Sequence, residues 1–155
     1  MAIEIERKFL VNSNQWKASV VRQSDVRQGY LATGEHSSIR VRIGAQSAEL
    51  NIKSLTQGVR RNEYEYPIPL EDAEQILDRL CTKPLIEKTR YYVEFAGKLW
   101  EVDRFSGAND GLVIAEIELA YEDEVFDKPD WVGEEVTEDL RYNNVSLVIH
   151  PFKDW

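Results

Sequence analysis

A mostly β fold (α+β), an antiparallel sheet of about eight strands with a few short helices, follows from three features of the sequence. Apolar and charged residues alternate in segment after segment, the period-two pattern of strands that bury one face. These segments are short and punctuated by turns such as Gly34-Glu35-His36, Gly44-Ala45-Gln46-Ser47 and Ala96-Gly97. Only one stretch, Asp72 to Cys81, sustains a helical period, with Ala73, Ile76, Leu77 and Leu80 on one stripe.

The first strand, Ile3 to Leu10, places Glu4, Glu6 and Lys8 on one face and Ile3, Ile5 and Phe9 on the other. Asn12-Ser13-Asn14 then offers caps for a short helix over Gln15–Arg22, followed by a strand over Arg27–Thr33. In Ser38–Ile43, Ile39, Val41 and Ile43 face one way and Arg40 and Arg42 the other. Glu49–Lys53 carries Lys53 on its polar face, and Gln57-Gly58 turns the chain into Arg61–Ile68, where Glu63 and Glu65 share a face and Pro67 and Pro69 end the strand. The helix at Asp72 stops before Pro84. Strands resume at Ile86–Phe95 with Lys88 and Arg90, Lys98–Phe105 with Glu101 and Asp103, and Leu112–Ala120 with Glu116 and Glu118. The acidic final third predicts a short helix near Glu122–Phe126, and Asn144–Ile149 reads as a helical turn or a strand.

A chain of 155 residues has room for one domain, residues 1–155, with its own core. At 43% hydrophobic and 30% charged residues it has the balance of a folded globule. Its apolar runs are too short to cross a bilayer, and the N-terminus has no signal-peptide core, so a cytoplasmic protein with no membrane partner is expected. The single cysteine, Cys81, has no internal partner and falls among the apolar helix positions as a core thiol. A net charge of −9 argues against a nucleic-acid partner, although local cationic patches still admit a phosphate ligand. There is no G-x-x-x-x-G-K-[ST], H-E-x-x-H or G-x-S-x-G motif, and His36 and His150 read as surface residues without zinc spacing. Trp16, Trp100, Trp131 and Trp155 read as packing aromatics.

The charged faces are unusual in being segregated by strand. Glu4/Glu6/Lys8, Arg40/Arg42, Lys53, Glu63/Glu65, Lys88/Arg90, Glu101/Asp103 and Glu116/Glu118 succeed one another along the chain. Carboxylates offer hard oxygen to a divalent cation, and arginine suits bidentate contact with phosphate. Two architectures remain open on this pattern. The sheet closes into a small barrel with the charged face inward and the helix covering part of the apolar outside. Alternatively it is a sandwich whose charges are solvated and loosely paired.

The ordered series resembles the CYTH superfamily, the triphosphate tunnel metalloenzymes. The N-terminal E-x-E-x-K of Glu4, Glu6 and Lys8 is similar to the signature of that family, as are R-x-R at Arg40/Arg42, Lys53, E-x-E at Glu63/Glu65, K-x-R at Lys88/Arg90, the acidic pair Glu101/Asp103 and E-x-E at Glu116/Glu118. Gly133 to Asp139 with Arg141-Tyr142 resembles the C-terminal part of short bacterial members. The likeness spans nearly the whole chain.

The resemblance implies an eight-stranded antiparallel closed barrel, a tunnel, with short helices outside. It implies a small-molecule triphosphate as ligand and Mg2+, or Mn2+, as cofactor. Lys8, Arg40, Arg42, Lys53, Lys88 and Arg90 would clamp phosphate oxygens, while Glu4, Glu6, Glu116 and Glu118, with Asp103 as a further ligand, would hold one or two ions that bridge phosphates and activate a water. Glu4, Glu6, Lys8, Lys53 and Glu118 are the expected catalytic set, with Glu63 and Glu65 orienting the cations. Tyr30, Arg60 and Arg61 are assigned plain structural roles near the tunnel mouth. The short loops leave no room for a nucleoside or thiamine pocket, which points to inorganic tripolyphosphate. The alternatives are a class IV adenylate cyclase and a non-catalytic polyphosphate- or nucleotide-binding module. A homodimer is compatible with the sequence.

Overall fold

The computed structural model describes residues 3–55 and 59–155, so the turn expected at Gln57-Gly58 lies outside the described residues. Nine strands are described: β1 (Ile3–Val11), β2 (Val20–Thr33), β3 (Ser37–Gly44), β4 (Ser47–Ser54), β5 (Arg60–Ile68), β6 (Ile86–Phe95), β7 (Lys98–Ser106), β8 (Val113–Glu118) and β9 (Val132–Glu135). Two α-helices, α1 (Leu70–Arg79) and α2 (Asn144–Ile149), and four short 3-10 turns complete the chain.

The strands pair antiparallel in the order β5-β4-β3-β2-β6-β7-β8-β1, and β5 returns to β1 through Ile3↔Asn62, Glu4↔Arg61 and Ile5↔Arg60. Eight strands therefore close into a barrel, and the sandwich is excluded. The far half of β1 has no β5 partner and pairs instead with the short β9 at Phe9↔Glu135 and Val11↔Val132.

Closure turns every charged face inward and every alternate apolar face outward, so the barrel needs an external coat. Ala73, Leu77 and Cys81 lie over Val41, Ile43 and Ala48, so α1 and the turn after it cover β3 and β4, as the helical stripe predicts. Gly29 on β2 is required by this packing, because a Cβ there would come within 2.8 Å of the Cys81 Cβ and Leu85 Cδ2. The outer faces of β1, β6, β7 and β8 bury Phe9, Val93, Trp100, Val102 and Ile117 under Trp16, Trp131 and Phe126. Phe9, Phe126 and Trp131 all meet Trp100 edge to face at 5.6–5.7 Å, and Phe9 also meets Phe126 at 6.2 Å. One end of the lumen is apolar. Tyr30, Ile86, Phe105 and Ile114 meet Tyr142, Leu147 and Val148 of the C-terminal segment, which closes that end.

Several local expectations change. The helix placed over Gln15–Arg22 is a 3-10 turn of Gln15–Ser19, and β2 starts at Val20 rather than Arg27. Pairing with β6 as far as Val20↔Val93 overrides the local capping signal. Helix α1 begins two residues earlier than Asp72, and Leu80 is exposed at 64% because the helix ends before it can turn inward. Pro67 lies within β5, opposite Glu49. Beyond Asn62 no β1 residue pairs with β5, so a missing N–H on that side costs no ladder bond. No helix forms near Glu122–Phe126, where Phe126 is held against the barrel by ring contacts. The final third also supplies β9, whose four residues are too few to show an alternation. Asn144–Ile149 is helical. No helix among the described residues is long and apolar enough to cross a membrane.

Candidate active site

Side chains at i, i+2 and i+4 share a strand face, so each strand delivers its charged set to the lumen. The lumen holds a cavity of about 480 Å³. Strand β1 contributes Glu4, Glu6 and Lys8; β3 contributes Arg40 and Arg42; β4, Lys53; β6, Lys88 and Arg90; β8, Glu116 and Glu118. Each of these lines the cavity, as do Glu63, Glu65 and Glu101. Asp103 does not. It is fully buried behind the cations, with Oδ2 accepting from Lys88 Nζ at 2.7 Å and Oδ1 from Arg90 Nε at 2.7 Å.

The cations fall into two groups. Arg90 is enclosed by acid, with Glu101 at 2.5 Å, Asp103 at 2.7 Å and Glu116 at 3.6 Å. Lys53 pairs with Glu63 at 2.6 Å and Glu4 at 3.5 Å, and Arg61 with Glu4 at 2.7 Å and Glu6 at 3.1 Å. Among the described residues Arg42 has only the more distant Glu49, at 3.7 Å. Lys8 and Arg40 make no carboxylate pair among the described residues, although both are buried. A phosphate entering the lumen meets these two and Arg42 as the cations least committed to protein acids.

Arg61 carries more of the site than its expected structural role suggests. Burial works against its charge, but Glu6 and Glu4 outweigh burial and raise its pKa. The signal was available in the face parity, since Arg61 stands two residues before Glu63 on the same side of β5. Gln28, which lines the cavity from β2, and Asn144 of α2 also went unnoticed, because uncharged amides do not stand out in a charge pattern. Tyr30 lines a smaller cavity of about 220 Å³ that continues past Lys8, Arg40 and Lys53 toward Ser37, Asn143 and Ser146.

Crowding perturbs the acids on the β7–β8 side. Burial, then the charges of Glu116, Asp103 and Glu6, push the Glu101 carboxyl up to about 7 against the pull of Arg90. Burial and Glu6 raise Glu116, and burial with Glu4 and Glu6 raises Glu118. Glu65, sharing a hydrogen bond with Glu63, rises to about 7. Asp103 goes the other way: burial would raise it, but Arg90 and then Lys88 hold it well below the ordinary range. Burial pushes the Lys88 ammonium down to about 8 despite Asp103.

This donor set fits a divalent cation. Glu6 stands opposite Glu118, and Glu101 opposite Glu116, in the strand registers. Facing carboxylates repel when ionised, and a hard cation relieves that repulsion while taking their oxygens. No three described acidic, histidine or cysteine side chains stand close enough to hold one ion as they lie, since Glu4 and Glu6 are engaged by Arg61. An ion bound there competes with Arg61 for those oxygens.

The comparisons with known proteins agree with this geometry. The CYTH domain profile matches residues 2–152. The chain is 49% identical over 155 residues to an inorganic triphosphatase of Acetivibrio thermocellus, covering 100% of this chain and 99% of that protein. It is 38% identical over 151 residues to an inorganic triphosphatase of Nitrosomonas europaea, covering 94% and 97%. Among solved structures, the inorganic triphosphatase NE1496 superposes with a TM-score of 0.71 at 35% identity, covering 96% of each chain. Family match, relatives and barrel coincide over almost the whole length, and the chain belongs to the CYTH domain family.

Proposed function

We propose that the chain, acting as one domain over residues 1–155, hydrolyses a small triphosphate in the barrel lumen with the help of a divalent cation. Inorganic tripolyphosphate is the substrate that fits best. One observation carries the reading: the barrel lumen sets cations without carboxylate partners among the described residues, Lys8 and Arg40, beside carboxylates of raised pKa, Glu101, Glu116 and Glu118. The first group suits a polyanion and the second a metal. The choice of inorganic substrate rests on the lining. Ile3 is the one apolar member among the described residues lining the main cavity, and apolar side chains such as Leu55, Leu140 and Val145 line only the smaller adjoining one. The relatives in Acetivibrio thermocellus and Nitrosomonas europaea carry the same activity in their names.

In this reading Lys8, Arg40 and Arg42 bind phosphoryl oxygens directly, and Lys53, Lys88 and Arg90 extend the positive wall behind them. Glu4, Glu6, Glu116 and Glu118 are the candidate metal ligands, and Asp103 acts through Lys88 and Arg90 by fixing where they point. The metal, when bound, supplies charge neutralisation for the phosphates and lowers the pKa of a coordinated water. Water oxygen bonds to a terminal phosphorus, the bridging P–O bond breaks, and phosphate and pyrophosphate leave. Mg2+ is the expected ion, with Mn2+ as a substitute. The unpaired, buried Cys81 is compatible with a reducing cytoplasmic setting.

The test is phosphate release from tripolyphosphate, ATP and thiamine triphosphate with Mg2+, with Mn2+ and with EDTA. Metal-dependent release that is fastest with tripolyphosphate supports the reading. Cyclic AMP and pyrophosphate from ATP, without phosphate release, would instead identify a cyclase.

A further inference from the structure

Two arginines in the lumen occupy matching positions and have opposite surroundings. Arg90 on β6 stands directly opposite Asp103 on β7, and its Nε donates to Asp103 Oδ1 at 2.7 Å. Arg40 on β3 stands directly opposite Asn51 on β4, and its Nε donates to Asn51 Oδ1 at 3.1 Å. The cross-strand geometry is the same, but the acceptor is a carboxylate in one case and a carboxamide in the other. Both acceptor residues are fully buried.

Asn51 Nδ2 is buried and has no hydrogen-bond partner among the described residues, so the side chain is anchored through its Oδ1 contact with Arg40. A carboxylate there would give the Arg40 guanidinium an ion pair, and Arg40 has none among the described residues. The amide accepts from the guanidinium without neutralising it.

Building on the triphosphatase reading, we propose that Asn51 is a positioning residue for substrate binding. It locks Arg40 through Nε so that the two terminal nitrogens face the lumen as an uncompensated cation for the phosphate chain. Arg90, neutralised by Asp103, Glu101 and Glu116, is a strut of the wall and contributes less to affinity. The lumen thereby divides these two arginines into substrate arm and scaffold, with the amide or acid in the facing strand as one part of the difference and Glu101 and Glu116 beside Arg90 as the other.

The experiment uses the full chain with Asn51→Asp. It keeps the shape and the acceptor and adds one negative charge beside Arg40. Wild-type hydrolysis of tripolyphosphate is measured first, and its absence would overturn the functional reading rather than this inference. Given an active wild type, Asn51→Asp raises KM by about tenfold to a hundredfold, the span for losing one hydrogen bond to a charged group, while kcat changes less than KM. Tripolyphosphate binding by calorimetry in EDTA weakens in parallel. Asn51→Ala, which frees the guanidinium without adding charge, raises KM less than Asn51→Asp. An Asn51→Asp protein with KM within twofold of wild type would overturn the proposal, and so would an Asn51→Ala protein with the KM of wild type.

Discussion

Lys88 Nζ lies 2.7 Å from Asp103 Oδ2, and both groups are sealed from solvent. The other oxygen of Asp103 is taken by Arg90. One carboxylate thus anchors both inward cations of β6, and its removal leaves two buried charges short of a partner. Asp103→Ala should lower unfolding free energy by about 3–5 kcal/mol, the cost of breaking a buried pair from one side. Urea denaturation measures it. A loss under about 1 kcal/mol would show that the network is not structural.

Lys8 is the contrasting case, a buried ammonium with no ion pair among the described residues. Lys8→Ala should raise KM for tripolyphosphate by about tenfold to a hundredfold, because a charged contact to phosphate is lost. Tm should fall much less than in Asp103→Ala, since no buried carboxylate is orphaned. Steady-state kinetics beside thermal denaturation separates the two effects, and an unchanged KM would remove Lys8 from the substrate's path.

Glu118 faces Glu6 across the β1–β8 pair, and its charge is disfavoured by burial and by Glu4 and Glu6. A metal that relieves this repulsion should bind less well to Glu118→Ala. The metal concentration at half-maximal rate should rise at least about tenfold, the loss expected when one charged ligand is deleted. Activity titrations with Mg2+ and Mn2+ provide the readout, and a curve superposable on wild type would argue that Glu118 is not a ligand.

The raised carboxyls predict a pH effect on stability with a definite sign. Glu101 has its pKa raised from 4.5 to about 7, so between those values the folded state binds more protons than the unfolded chain. Its stabilising contribution is therefore present below about 4.5 and is lost as pH rises through 7. Glu63 and Asp103 are shifted downward, but their window lies below the ordinary carboxylate range and does not oppose this one. Metal-free protein should melt at a lower temperature at pH 8 than at pH 5.5. Divalent metal should raise Tm more at pH 8, where its ligands are ionised. Differential scanning fluorimetry with Mg2+ and with EDTA at both pH values tests it; an equal metal shift at both would sink the idea.

Much of the site was legible because face parity is a local property. Arg40 and Arg42 must share a side of β3 whatever the strand meets, and the same holds for Lys88 and Arg90 on β6. Asp103 was placed on the right face but could not be placed behind the cations, since that depends on the β6–β7 register. The parity of Arg61 with Glu63 points inward in the sequence, but its partners Glu4 and Glu6 lie across the β1–β5 seam, which exists only once the barrel closes. Val20 to Val26 does not read as strand in the sequence, because a local capping signal competes with the pairing to β6. The coat formed by Phe126 and Trp131 lies in a segment with no period at all.

The sequence by itself determined most of the eight barrel strands, their inward and outward faces, a helix with one apolar stripe and the inventory of lumen charges, because these follow from the spacing of residues along one segment. The tertiary structure alone decided that the sheet closes, that the C-terminal segment seals one end, and which cation is neutralised and which is left for a ligand. Those outcomes are set by register between strands far apart in the chain. A shift of register would leave every strand's own pattern intact while exchanging the partners that give Arg40 an amide and Arg90 an acid.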